Sequence, residues 1–307
     1  MKVLVSGAGG FVGNVLCRQL LYKGHQVVAF DNFHKGQCDA LIPLVSNDNF
    51  SFIYGDVTNK SDVTKAMSGI DGIIHLAAIV GVPACNRHPA LAKAVNVEGT
   101  QNIVNAKSQD MPIVYASTGS VYGAVEGTCT ERSPTNTNTL YGITKLNAEK
   151  IIRDTTNSVS LRFATGFGLS PCMRVNLLVN DFVYRAKNEG CLTVFQKSFR
   201  RTFIHVTDMA RALIFSLEHN KTFKNDVYNC GDNNLNWTKE QLSEYVKERT
   251  GCYVSYAEFG TDADLRDYAC DFSLLNEEGF FCTVTMEEGI DELIKATPLL
   301  QIRHQYE

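Results

Sequence analysis

The sequence predicts an α/β fold: a doubly wound parallel sheet with a smaller mixed α/β lobe. Three observations predict it. Short apolar runs rich in β-branched residues alternate with helix-period segments over the first half of the chain, the order that builds a parallel sheet covered on both faces. Four glycines, at 7, 9, 10 and 13, fall directly after the first apolar run. Beyond residue 165 the alternation weakens.

The elements follow in order. KVLVS (2–6) is the first strand, and FVGNVLCRQLLYKG carries a helical pattern that Gly24 stops. HQVVAFDN (25–32) is a second strand, ending on Asp31; FSFIYGD (50–56) is a third, DGIIHLAA (71–78) a fourth and PIVYAS (112–117) a fifth. PALAKAVNVEGTQNIVNAKS (89–108) reads as a helix, LYGITKLNAEKII as another, and SVSLRFA (158–164) as the strand after it. In the remainder, 174–188, 207–219, 238–248 and 286–296 read as helices and 203–206 as extended. The expected division is a Rossmann-like domain over 1–164, to which a segment of about 202–222 returns, and a second lobe over 165–307. Met173 and the aromatics Phe182 and Tyr184 read as core or lobe contacts.

Composition narrows the function. The chain has 307 residues, 44% hydrophobic and 20% charged, with a formal net charge of −4. This is an ordinary globular balance with no basic footprint for nucleic acid. No run of 18 apolar residues occurs, so no membrane partner is expected, and MKVLVSGAGGFVG reads as strand and turn rather than as a signal peptide. The ten cysteines are never closer than twelve residues, and the seven histidines have no ligand spacing. No metal site is expected, and the thiols read as reduced and mostly buried in a cytoplasmic protein.

The chemistry-bearing residues lie where such a sheet binds ligands, beyond the carboxyl ends of its strands. Gly7, Gly10 and Gly13 stand at the first strand-to-helix turn. Gly7 permits the turn, Gly10 lets backbone N–H groups approach a pyrophosphate, and Gly13 allows close helix–strand packing; the helix N-terminus adds its partial positive charge. Asp31 follows Gly13 by eighteen residues. A carboxylate there accepts from both hydroxyls of an adenosine ribose and repels a 2′-phosphate, which favours NAD over NADP; Lys35 and His34 soften that preference. The fifth strand runs into Ser117, Thr118 and Ser120, hydroxyls suited to an alcohol or ketone oxygen. Tyr141 and Lys145 stand one helical turn apart. A phenol with a pKa of ~10 is a weak base at neutral pH, and a nearby lysine together with a cationic nicotinamide favours its phenolate.

With these motifs in this order, the chain resembles an extended short-chain dehydrogenase/reductase of the nucleoside-diphosphate-sugar epimerase/dehydratase branch. GxxGxxG at 7–13, Asp31-Asn32, Gly55-Asp56, HLAA at 75–78, STGSVYG, YGITK, LRFATGFG at 161–168 and RRTFIHVTDMARA at 200–212 carry the resemblance. It implies an NAD-binding domain over 1–164 and a substrate-binding lobe over 165–307. Around the cofactor it implies Phe11, Val12, Asn32, Val57, Leu76, Ala77, Ala78 and Ser117, with Asp56 at the adenine, Asn96 in the wall and Lys145 on the nicotinamide ribose. Thr118 and Tyr141 would bind the sugar hydroxyl being oxidised, most often at C4, with Tyr141 as base. Ser120, Thr165, Asn176, Arg201 and Arg266 would meet the nucleoside-diphosphate sugar. The family's 4,6-dehydratases carry an Asp-Glu pair after the threonine; here those positions are Gly119 and Ser120. Thr165 replaces the usual asparagine, and Thr261 stands where a diphosphate arginine is common. The implied activity is a 4-epimerase working through a 4-keto sugar in surface-polysaccharide or glycan precursor synthesis. A 4-dehydrogenase or 4-ketoreductase with the same site, or a non-catalytic dinucleotide-binding regulator, are the alternatives. A homodimer through helices 89–108 and 139–154 is implied by the resemblance alone.

Overall fold

A computed structural model describes residues 1–300 except 35–37, 124, 126, 224–225 and 259–266. The first half runs β1 (Lys2–Ser6), α1 (Phe11–Tyr22), β2 (Gln26–Asp31), β3 (Phe50–Tyr54), α2 (Lys60–Ala66), β4 (Gly72–His75), α3 (Val82–Arg87), α4 (Pro89–Lys93), α5 (Thr100–Ala106), β5 (Ile113–Thr118), β6 (Thr128–Cys129), α6 (Leu140–Arg153) and β7 (Ser158–Phe163). Then come β8 (Thr165–Phe167), α7 (Leu178–Asn188), β9 (Cys191–Val194), β10 (Arg200–His205), α8 (Val206–Glu218) and β11 (Val227–Cys230). The chain continues through β12 (Asn236–Thr238), α9 (Lys239–Thr250), β13 (Tyr253–Tyr256), β14 (Ala269–Cys270), α10 (Ser273–Glu277) and α11 (Met286–Ala296).

The central sheet has seven strands in the order β11-β7-β5-β4-β1-β2-β3, every pair parallel. The chain winds outward from β1 in one direction and from β4 in the other, so a crevice opens between their carboxyl ends. Period-two alternation builds the two faces. Val3 and Val5 of β1 pack with Leu16 and Leu20 of α1 and Leu213 of α8. Leu4, between them, faces Val63 of α2, Ile103 of α5 and Ile152 of α6. A third core joins Val179, Phe182 and Val183 of α7 to Leu242 and Val246 of α9 and Ile290 and Leu293 of α11. Met173 and Tyr184 are buried there too.

Among the departures from the sequence expectation, which include β9, β12, β13, β14 and α10, two concern the central sheet and its covering helices. β11 was not predicted; its four residues, VYNC, are all buried as the last strand of the central sheet. Four residues with a central asparagine carry too little period for a strand to be read. The expected helix 89–108 also contains a π-helical turn, Ala94–Gly99, between α4 and α5. Helix ends are set locally. Thr139 caps α6 by accepting from the Gly142 N–H at 3.1 Å, and α9 and α11 each open with a reciprocal box, Thr238 with Gln241 and Thr285 with Glu288. Among the described residues no helix is long and apolar enough to cross a membrane, and no group of three metal-ligating side chains occurs. All ten cysteines are free thiols.

Candidate active site

The glycine loop joins β1 to α1. Gly7 takes φ +73°, and a Cβ on it would lie 2.7 Å from the Ala77 nitrogen; one on Gly13 would overlap the Gly7 carbonyl. The Gly7 N–H donates to the Phe30 carbonyl at 2.9 Å. Gly10 is the N-cap of α1, extended and without a side-chain cap, and no acidic residue stands in the first turn. The first N–H groups of α1, from Phe11 and Val12 on, thus lie behind a loop that has no side chain to cap them. That is an anion cradle in geometry and in charge.

The strand ends beside it are tied down by polar contacts. Asp31 accepts from the N–H of Gly9 (2.9 Å) and of Phe33 (2.7 Å). Burial raises its carboxyl above the usual range, against the lowering pull of the Phe33, Gly9 and Asn32 N–H groups. Asn32 donates to Asp56 at 2.8 Å, and Thr58 donates to it from both N–H and hydroxyl at 2.8 Å. Burial opposes ionisation of Asp56, but the Thr58 and Asn32 hydrogen bonds outweigh it and hold the carboxyl below its usual range. Val57 is pinned through its carbonyl by Asn102 at 2.9 Å.

At the end of β4, Ser6, His75 and Thr100 form a buried chain. The Thr100 hydroxyl donates to the Asn96 carbonyl (2.7 Å), so it accepts from His75 Nε2 (2.9 Å), and His75 Nδ1 accepts from the Ser6 hydroxyl (2.6 Å). Ser6 Oγ in turn receives the N–H groups of Leu76 and Ala77. Burial, and then the charge of Lys145, push the His75 pKa down to about 3, which keeps the imidazole neutral. Asn96, in the π-helical turn, accepts from Ile79 N–H (2.7 Å) and donates to the Ile79 carbonyl and the Thr144 hydroxyl (both 3.0 Å). It braces the loop that holds Ala78 against α6.

Thr118 ends β5, and its hydroxyl donates to Ser120 at 3.1 Å. The start of α6 packs on this loop: a Cβ on Gly142 would lie 2.9 Å from the Ser120 carbonyl. That contact sets the start of α6, which carries Tyr141, against the 119–121 turn that follows Thr118. Lys145 follows one turn later, only 3% exposed, its Nζ 4.1 Å from the centre of the Tyr115 ring. Among the described residues its ammonium makes no hydrogen bond or ion pair, and the buried Tyr115 hydroxyl has no partner either. Burial draws the Lys145 pKa down to about 7, with Glu149 and Cys85 pulling the other way. An uncompensated cation and an orphaned phenol at the sheet edge, with the glycine cradle alongside, fit a dinucleotide carrying a ribose.

Ser117 points elsewhere: its hydroxyl donates to Glu149 at 2.6 Å, and Glu149 is held by both Nη2 (2.7 Å) and Nε (3.1 Å) of Arg162. Arg162 continues to Tyr122, and Tyr122 to Asn229 of β11 at 2.6 Å. Glu149, Arg162, Tyr122 and Asn229 escaped the sequence reading. Glu149 stands four residues after Lys145 and Arg162 is a charge inside an apolar strand, and both were visible cues. On the other lobe Thr165 opens β8 half-buried, Asn176 is exposed, and Arg201 is buried in β10 opposite Trp237, its Nη1 on the Arg200 carbonyl at 3.0 Å. Arg266, Thr261 and Lys35 lie outside the described residues.

The model of the family described as NAD dependent epimerase/dehydratase matches residues 3–231. The chain is 32% identical over 232 residues to an uncharacterized UDP-glucose epimerase of Bacillus subtilis (strain 168), covering 69% of this chain and 71% of that protein. It is 27% identical over 282 residues to a UDP-glucose 4-epimerase of Lactobacillus helveticus, covering 83% and 84%. In structure it is similar to the UDP-glucuronic acid 4-epimerase of Bacillus cereus in complex with UDP-glucuronic acid and NAD, at a TM-score of 0.85 and 25% identity over 98% of this chain and all of that one.

Proposed function

The chain belongs to the NAD-dependent epimerase/dehydratase family, and from that premise we propose that it is a nucleoside-diphosphate-sugar 4-epimerase acting through a 4-keto intermediate. Tyr141 takes the proton of the sugar 4-hydroxyl, and the Thr118 hydroxyl holds the same oxygen. Lys145, one turn along α6, supplies the positive charge that favours the Tyr141 phenolate. NAD, when bound, would supply a two-electron acceptor for the C4 hydrogen, reversible so that the 4-keto sugar can be reduced again from its other face. Gly7, Gly10 and Gly13 with the first turn of α1 would hold its pyrophosphate, Asp31 and Asn32 its adenosine ribose, Asp56 and Val57 its adenine, and Leu76–Ala78 and the backbone of Ser117 the wall beside it.

The observation that carries this reading is the segment after Thr118. Gly119 and Ser120 offer no carboxylic acid for proton transfer beyond C4, and the buried carboxylate nearby, Glu149, is held by Arg162 and Ser117. A site without such acids is not equipped for dehydration beyond C4, and return of the hydrogen to C4 from the other face gives the epimer. Its setting would be glycan or surface-polysaccharide precursor synthesis in the cytoplasm, with 1–164 and the returning 202–222 holding NAD and 165–307 the nucleotide sugar. Helices 89–108 and 139–154 would pair two copies; Ile143, 41% exposed on α6, supports that face.

The test is Tyr141→Phe. Turnover should fall by at least about a thousandfold, with the circular dichroism spectrum and NAD content retained. Near-normal turnover would sink the mechanism. Product analysis separates epimerisation from net oxidation: an epimer with no change in NADH supports the proposal, whereas a ketone formed with stoichiometric NADH makes the enzyme a 4-dehydrogenase.

A further inference from the structure

Between the start of α1 and the helix of Tyr141 stands a cation that no described residue neutralises. Arg174 lies in the 168–177 loop between β8 and α7. That loop is fixed on two sides. The Ser170 hydroxyl donates to the Phe11 carbonyl at 2.7 Å, and Asn180 of α7 accepts from Gly168 N–H (3.0 Å) and donates to the Arg174 carbonyl (2.9 Å). Cys172, Met173 and Val175 are buried around it, while Arg174 stays half-buried. Its Nη2 lies 4.0 Å from the point a Cβ on Gly81 would occupy, just beyond the loop that Asn96 braces against α6.

Among the described residues the guanidinium makes no hydrogen bond and no ion pair. Burial lowers its pKa, and the titratable groups that act on it are the Tyr141 phenol and the Cys172 thiol, with no carboxylate among them. A partly desolvated guanidinium without a counter-charge is unfavourable unless a ligand completes it. Its planar fork matches two oxygens of a carboxylate or a phosphate. The anchored loop also presents it with little freedom left to lose on binding.

We propose that Arg174 receives a pair of anionic oxygens of the substrate, either a carboxylate on the sugar or the diphosphate that carries it. The assignment rests on the nucleotide-sugar reading above. It makes Arg174 a specificity-determining residue: a sugar carboxylate there would mark the substrate as a nucleoside-diphospho-uronic acid.

The test is calorimetric titration of the NAD-loaded wild type, Arg174→Gln and Arg174→Lys. The probes are the glucose and glucuronic acid esters of UDP and dTDP, and the mannose and mannuronic acid esters of GDP. Arg174→Gln should weaken the bound ester by about ten- to a hundredfold, the scale of a charged hydrogen-bond pair, and Arg174→Lys should weaken it less. The thermal midpoint of the unliganded Gln variant should not fall, because the side chain gives up no internal partner. A loss confined to the uronic acid member assigns the sugar carboxylate; an equal loss in both members assigns the diphosphate. Unchanged affinities, or a lowered midpoint marking a structural role, overturn the assignment and leave the nucleotide-sugar reading standing. Failure of the wild type to bind any probe overturns that reading, and this assignment with it.

Discussion

Lys145 shows how one side chain is tuned by its surroundings. It is buried against Tyr115 with no bonded counter-ion, and its pKa is drawn down to about 7. An unfolded lysine keeps its proton to ~10.4. Between these values the unfolded chain binds more protons than the folded one, so this residue makes stability rise with pH over that window. The cofactor-free protein should therefore gain in thermal midpoint from pH 7 to pH 9, and Lys145→Met should flatten the slope. Identical slopes in the two proteins would contradict the burial. Tyr141 and Lys145 were legible as a pair from their one-turn spacing together with the glycine loop, Asp31 and the strand-end hydroxyls around them. That Tyr115 supplies the surface beneath Lys145 was not, because Tyr115 lies on another strand and reads only as an apolar residue of β5.

At the scale of elements, the turn from β1 into α1 is the most constrained piece of backbone. Gly7 and Gly13 are closed in by neighbouring backbone, whereas Gly10 leaves the helix end uncapped. Gly13→Ala would drive its methyl into the Gly7 carbonyl and part the loop from the helix. Such a variant should lose most of its bound NAD, read by mass spectrometry of nucleotides released on denaturation; full NAD occupancy would show that the loop yields without harm. The sequence carried this element almost completely, because strand, glycine spacing and helix are all local. It did not carry the π-helical turn around Asn96. That turn is set by what Asn96 bonds, the Ile79 backbone and Thr144, which come from distant parts of the chain.

Across the whole molecule, buried polar side chains tie distant segments together. Asp208 of α8 is fully buried and accepts from the N–H groups of Thr283 and Val284 (both 2.9 Å), from the Thr283 hydroxyl and from Arg211. His205, just before α8, reaches Glu292 of α11 at 2.9 Å. Asp208→Ala would leave two N–H donors without an acceptor and Arg211 without its carboxylate. The expected cost is about 3–5 kcal/mol in urea unfolding, with the 283–296 segment loosening first in hydrogen exchange. A loss below about 1 kcal/mol would mean that this link does not hold the segment. The network from Ser117 through Glu149, Arg162 and Tyr122 to Asn229 joins the end of β5 to β11 in the same way.

The sequence by itself determined the parallel α/β architecture, the glycine turn from β1 into α1, the place of Asp31 at the end of β2 and the one-turn spacing of Tyr141 and Lys145 on α6. Each rests on short-range pattern: period two in strands, 3.6 in helices, glycine where backbone must approach backbone. Only the tertiary structure decided that Ser117 turns inward to Glu149, that His75 is a neutral bridge, that β11 completes the sheet and that Arg174 stands without a counter-charge among the described residues. Those outcomes depend on which charges and hydrogen-bonding groups meet across distant segments. Burial fixes the cost of each such meeting, and burial is a property of the packed molecule rather than of any stretch of it.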